Sequence, residues 1–165
     1  MAKITLLAHN IRSTHNVGSI LRTCEGFGVN EVIFSGYTPY PKLKNDTRLP
    51  HIADKLTKQI HKTALGAEGL VKFSYSDNIT TSIKQLKNQG YTIVGLEQTS
   101  DSIKIQDYRT TGPTALLLGE EVEGVNSELL KLCDKTVEIP MYGQKESFNV
   151  AVAAGIALYQ LAISR

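Results

Sequence analysis

Cysteine is nearly absent from this sequence: Cys24 and Cys133 are the two among 165 residues. They stand alone, with no CxxC pair and no histidine at a ligand spacing. That excludes a disulfide framework and gives no zinc signature, so no metal site is expected. Two isolated thiols suit a reducing cytoplasm. Long hydrophobic runs are missing as well. The apolar part of MAKITLLAHN is too short for a signal peptide, and no stretch approaches the ~20 apolar residues of a membrane span. Internal repeats and linker-like segments are also missing. Charged residues make up 21% and hydrophobic ones 41%, values that exclude a disordered chain. The length fits one domain over residues 1–165, large enough for a real core.

Excess charge of one sign is small overall, at +2, but it is unevenly placed. Through Thr63 there are nine Lys/Arg against four Asp/Glu, and beyond it nine against twelve. All four histidines (His9, His15, His51 and His61) lie in the basic part. Such a part can attract a polyanion, and it can equally be a solvated lysine-bearing surface.

What the sequence does contain is alternation. Apolar runs at Ile4–Ala8, Glu31–Ser35, Val71–Tyr75, Tyr91–Leu96, Thr114–Leu118 and Thr136–Ile139 read as strands. Helical patterns fall at Val17–Phe27, Ile52–Gly66, Thr80–Asn88, Asn126–Leu132 and Phe148–Ile163. Residues 36–50 and 100–112 read as loops. Strands as apolar as TALLL predict an α/β fold: a mainly parallel sheet with helices on both faces.

Three segments can carry chemistry. In residues 9–28, Asn16 suits a helix cap, and Val17, Ile20, Leu21, Cys24 and Phe27 form the apolar stripe. Gly18, Ser19, Arg22 and Glu25 fall on the opposite side. In residues 116–125 an apolar strand ends in Gly119-x-Glu121-x-x-Gly124, and ligands of parallel sheets bind beyond such ends. Three glutamates there would repel a phosphate and suit a neutral or cationic ligand, or a hydroxyl needing an acceptor. An acidic solvated turn is the competing reading. In residues 139–159 a polar loop opens into a helix with almost no polar face. Ser147 and Asn149 stand at its start as caps or as ligand-binding groups.

Together the three segments resemble the SpoU/TrmH-type RNA 2′-O-methyltransferases of the SPOUT superfamily. The first family motif stands as Asn16-Val17-Gly18-Ser19 with Arg22-Thr23. The second stands as Leu118-Gly119-Glu120-Glu121-Val122-Glu123-Gly124. The third stands as Ile139-Pro140-Met141 with Ser147-Phe148-Asn149-Val150, where Phe148 replaces the family's usual leucine and is expected to reshape the adenine pocket. Order and separation match over nearly the whole chain.

The resemblance implies a C-terminal trefoil knot holding S-adenosylmethionine, and a homodimer whose interface includes the last helix. Carried over by position, Gly119, Ile139, Met141 and Phe148 would contact the cofactor. Asn16, Arg22, Glu121, Ser147 and Asn149 would form the catalytic set, the arginine reaching the pocket in cis or from the partner subunit. Family members often carry an extra N-terminal RNA-binding domain; this chain opens at its first strand and is expected to have none. Substrate binding would then rely on the catalytic domain, through the Tyr37–Lys62 region and the other subunit. The implied activity is methyl transfer to a ribose 2′-OH of tRNA or rRNA. A base-modifying SPOUT enzyme and a non-catalytic RNA-binding module are the alternatives. Because guanidinium stays protonated in proteins, Arg22 is better suited to hold a phosphate and developing alkoxide charge than to act as a base. Glu121, Ser147 or Asn149 would orient the hydroxyl, with a carboxylate or water taking its proton.

Overall fold

The computed structural model describes residues 3–164. Its strands are β1 (Ile4–His9), β2 (Glu31–Ser35), β3 (Phe73–Ser76), β4 (Thr92–Leu96), β5 (Ile103–Lys104), β6 (Thr114–Leu118) and β7 (Lys135–Glu138). They form one sheet in the order β3-β2-β1-β6-β4-β7-β5, and every pairing is parallel. The helices are α1 (Thr14–Gly26), α2 (Pro50–Ala64), α3 (Ile79–Asn88), α4 (Ser127–Leu130) and α5 (Val150–Ile163).

Alternation along the central strands sorts the core into two layers. Leu6 and Ala8 of β1 and Leu116 and Leu118 of β6 join residues of α1, α2 and α5 on one face. Leu7, Ala115 and Leu117 join Ile83 and Leu86 of α3 and Leu129 of α4 on the other. Burial on both faces explains why TALLL is apolar at every position from Ala115 to Leu118. Each such side chain contributes about 1.5–3 kcal/mol on leaving water.

Two details depart from the sequence reading. Ser13, not Asn16, caps α1: its hydroxyl accepts from the Asn16 backbone N–H at 3.2 Å, which places Asn16 in the first turn with its amide free to reach outward. Gly18 lies not on an open face but under α2. A Cβ there would stand 2.3 Å from the Ile60 carbonyl oxygen, so only glycine lets the two helix backbones approach. Apolar-stripe counting overlooks this because glycine buries no side chain.

Two further elements also differ. A short β5 occupies part of the expected 100–112 loop, paired with β7 at the edge of the sheet. The helix after the proline-rich loop is long: Pro50 opens it at a position where the missing N–H costs nothing.

β7 enters the sheet between β4 and β5, strands that both precede it in the chain. Val137 has Leu96 of β4 on one side and Ile103 of β5 on the other. The carboxyl ends of β4, β6 and β7 therefore open side by side.

Candidate active site

The loops leaving those three strands enclose a cleft of about 260 Å³. Its wall beyond β6 is a tight turn. Glu120 and Gly124 exchange backbone hydrogen bonds of 3.0 and 2.9 Å, and Gly119 packs so closely that a Cβ would meet the Gly124 carbonyl oxygen at 2.3 Å. Gly124 adopts φ +68°, and a side chain there would strike the Glu97 carboxylate. Glu97 stands just beyond β4 and accepts from the backbone N–H groups of Val125 (2.8 Å) and Gln98 (2.9 Å). The Gln98 amide donates to the Glu146 carbonyl at 3.0 Å, tying the loop after β4 to the loop after β7.

Every residue the sequence assigned to the cofactor lines this cleft: Gly119, Ile139, Met141 and Phe148, together with Glu121 and Ser147 of the catalytic set. Phe148 keeps 40% of its surface exposed, so it flanks the opening instead of filling the core. Six glutamates line the cleft (97, 120, 121, 123, 138 and 146), and no lysine or arginine among the described residues does. Such a lining favours a ligand bearing positive charge and disfavours a nucleoside phosphate.

Beside the cleft the chain gathers three distant polar residues. Glu121 accepts from the backbone N–H groups of Arg12 (3.1 Å to each oxygen) and Ser13 (3.3 Å) and from the Asn16 amide (3.3 Å). Partial burial pushes its carboxyl up, but these donors outweigh burial and hold it below the ordinary value. The Asn16 side-chain oxygen Oδ1 accepts from the Asn149 side-chain amide at 3.2 Å. Asn149 in turn caps α5, its side-chain oxygen accepting from Ala151 and Val152. The N-terminal end of α1 thus meets the Glu121 carboxylate, an arrangement that a helix dipole favours, and α5 is joined to it through Asn149 and Asn16.

The SpoU rRNA Methylase family profile matches residues 3–159, which span this cleft and all three polar residues. The chain belongs to that family. A tRNA (guanosine(18)-2′-O)-methyltransferase from Aquifex aeolicus (strain VF5) is 31% identical over 95% of this chain and 67% of its own length. A 23S rRNA (guanosine-2′-O-)-methyltransferase from Nitrosomonas europaea is 34% identical over 95% of this chain and 55% of its own length. The chain thus spans between about half and two thirds of these relatives. A solved A. aeolicus TrmH/SpoU tRNA modifying enzyme superposes with a TM-score of 0.81 at 28% identity, covering 100% of this chain and 76% of that one. The SpoU methyltransferase AviRb from Streptomyces viridochromogenes, solved with AdoMet, shares the fold at a TM-score of 0.81 and 24% identity, covering 98% and 57%.

For a SpoU-family chain the outlying residue is Arg22. It is exposed and lies outside the cleft lining, and its side chain makes no hydrogen bond or ion pair among the described residues. Six positions along α1 carry it about 9 Å from Asn16. Sequence reasoning overlooked Glu97, Glu138 and Arg12. The strand-end rule that singled out Gly119 also applies to Glu97, directly after YTIVGL. Arg12 carried no such signal, because a backbone N–H contact leaves no mark on residue type.

Proposed function

We infer that this chain is an S-adenosylmethionine-dependent methyltransferase acting on a ribose 2′-OH of tRNA or rRNA. The observation that carries this reading is the hydrogen-bonded series Glu121–Asn16–Asn149 set beside a cleft that, among the described residues, is lined by acidic, neutral and apolar groups. Cofactor fit follows from that lining. A sulfonium and an ammonium match carboxylates, whereas the phosphates of the common nucleotide cofactors do not. Leu96, Leu118, Ile139, Met141 and Phe148 offer an apolar wall to an adenine. When bound there, S-adenosylmethionine would supply a methyl group already activated by its positive sulfur.

The chain's own task is to hold the ribose hydroxyl in line, and alignment alone contributes about 7–11 kcal/mol in favourable cases. Asn16 and Asn149 each keep an amide N–H beyond the bonds already described, and Ser147 adds an exposed hydroxyl at the cleft. These groups orient the hydroxyl. A hydroxyl whose oxygen is being alkylated needs only a weak base beside it, so the lowered basicity of Glu121 is no bar to its taking the proton. Arg22 is assigned to the substrate phosphate, and its distance from the cluster of its own chain favours delivery to the partner subunit's site.

That assignment needs a homodimer. Val152, Tyr159 and Ile163 of α5 are 51%, 54% and 59% exposed, an apolar surface suited to cover by a second copy. A trefoil knot is likewise part of the reading, supported by the insertion of β7 between two earlier strands. Both cysteines are free, and burial pushes both thiols up, Cys133 to about 11. Such unreactive thiols fit a cytoplasmic enzyme, and no helix among the described residues is long and apolar enough to cross a membrane.

The test is incubation with S-adenosylmethionine and unmodified tRNA or rRNA, followed by nucleoside mass spectrometry and light scattering of the protein. Ribose-methylated nucleosides and a dimer mass are expected. Arg22→Ala should lose transfer by about 100-fold or more while cofactor binding persists. Base methylation, or transfer unchanged in that variant, would overturn the assignment.

A further inference from the structure

A second cleft, of about 710 Å³, lies on the other side of Arg12 and Ser13. Its chemistry is opposite to the first. It is lined by Arg12, His15, Arg48 and the rings of Tyr37, Tyr40 and Tyr75. It opens beside a segment, Gly36 to Thr63, with six Lys/Arg against two Asp/Glu.

Part of this lining is scaffold. The Tyr40 and Tyr75 rings stack at 4.5 Å, and the Arg48 guanidinium lies 3.6 Å over Tyr40. Arg48 donates to Asp46 and to the carbonyls of Tyr40 and Pro41, so it builds the wall and is not left to meet a ligand.

Tyr37 and Arg12 are the available pair. Tyr37 is 49% exposed, and the Arg12 guanidinium stands 5.9 Å from its ring. The Tyr37 backbone is aimed by a special turn: Gly36 at φ +65° leaves no room for a Cβ beside Asn10, and the Asn10 side-chain oxygen accepts from the Tyr37 N–H at 3.2 Å. The Arg12 side chain is 75% exposed and meets Glu120 at 3.5 Å, a pairing loose enough to exchange for a phosphate.

Arg12 also joins the two clefts. Its side chain lines the second while its backbone N–H is held by Glu121 of the first. A strand of RNA crossing this wall would set one ribose at the polar cluster and the neighbouring nucleotide in the second cleft. Resting on the function inferred above, we propose that this second cleft holds an unpaired RNA nucleotide adjacent to the target ribose, its base stacked on Tyr37 and its phosphate on Arg12. Stacking on an aromatic ring tolerates any base, and a guanidinium suits a phosphate, so the cleft supplies affinity and strand path more than sequence choice.

The experiment measures fluorescence anisotropy of the full chain with a short labelled single-stranded RNA across a salt series, with calorimetry of S-adenosylmethionine binding alongside. Tyr37→Ala should weaken RNA binding about 5- to 150-fold, Tyr37→Phe should restore it, and cofactor affinity should not change. Arg12→Ala should lower the slope of log affinity against log salt by about 0.7. Tyr37→Leu, which keeps bulk without a ring, serves if the alanine variant folds poorly. RNA binding unchanged in the Tyr37 variants, with cofactor binding intact, would sink the platform and favour another occupant such as an acidic peptide. Failure of the wild type to bind either RNA or S-adenosylmethionine would instead sink the underlying function.

Discussion

The two clefts share a wall and little else. One is narrow, closed by three strand-end loops and lined by six carboxylates. The other is wide, bordered by tyrosine rings and set in a basic segment. The first lining favours a ligand carrying positive charge and the second a polyanion. The wall between them is made of backbone. The Arg12 and Ser13 N–H groups hold Glu121, and their positions do not depend on which side chain faces either ligand.

The largest expected effect closes one cleft and spares the other. Gly119→Val would drive methyl groups into the Gly124 carbonyl, a clash the turn cannot relieve by moving a flexible side chain. Overpacking of this kind costs about 1–3 kcal/mol of stability. Calorimetry should find S-adenosylmethionine binding abolished, while single-stranded RNA still binds within about threefold. Loss of both together would mean that the clefts are not separable.

Acid titration should tell the two regions apart next. The Arg48 guanidinium, with two backbone donors, holds the Asp46 carboxyl well below its usual range despite burial. Glu121 is also held low, by Arg12, Ser13 and Asn16 against burial. Both carboxylates therefore lend stability that is present above the unfolded value of about 4 and is lost as pH falls through their folded values. Because Asp46 is displaced further, it keeps contributing at lower pH than Glu121. Glu121→Gln should cost about 1 kcal/mol at neutral pH and Asp46→Asn about 1.5–3 kcal/mol. Thermal melts between neutral and acid pH should converge for each variant and wild type as the pH drops, Glu121 first. A gap that persists at low pH would mean the lost stability is packing, not charge.

Much of this was legible in the residues, and the remainder has physical reasons for being hidden. Runs such as TALLL betray a sheet covered on both faces because successive side chains, pointing to opposite faces, are apolar from Ala115 to Leu118. Gly119 and Glu121 were readable because they follow a strand end, where loops of a parallel sheet converge, and Ser147 because it stands where a helix opens; Ile139, Met141 and Phe148 came only with the family resemblance. β5 was not, since two residues acquire strand character only by pairing with β7, more than thirty positions later. Gly18 hid its role because what it contributes is missing bulk. Asn16 was expected as a cap, yet Ser13 has that geometry, which frees Asn16 for Glu121 and Asn149. The second cleft depends on Arg48 binding its own loop, a contact no spacing rule announces.

The smallest predicted effect concerns an ion pair that crosses the wall. Arg12 and Glu120 meet at 3.5 Å, with side chains 75% and 24% exposed. An exposed pair at that separation gains little Coulomb energy and loses rotamer freedom, so a double-mutant cycle on Arg12→Ala and Glu120→Ala should give about 0–0.5 kcal/mol of coupling in stability. The same cycle run on RNA affinity should behave differently. If Arg12 must leave Glu120 to take a phosphate, Glu120→Ala alone should tighten RNA binding by up to about threefold, and the gain should vanish in the Arg12→Ala background. A gain that survives without Arg12 would show Glu120 acting only through its general repulsion of the strand. The wall would then separate two fields without any residue passing between them.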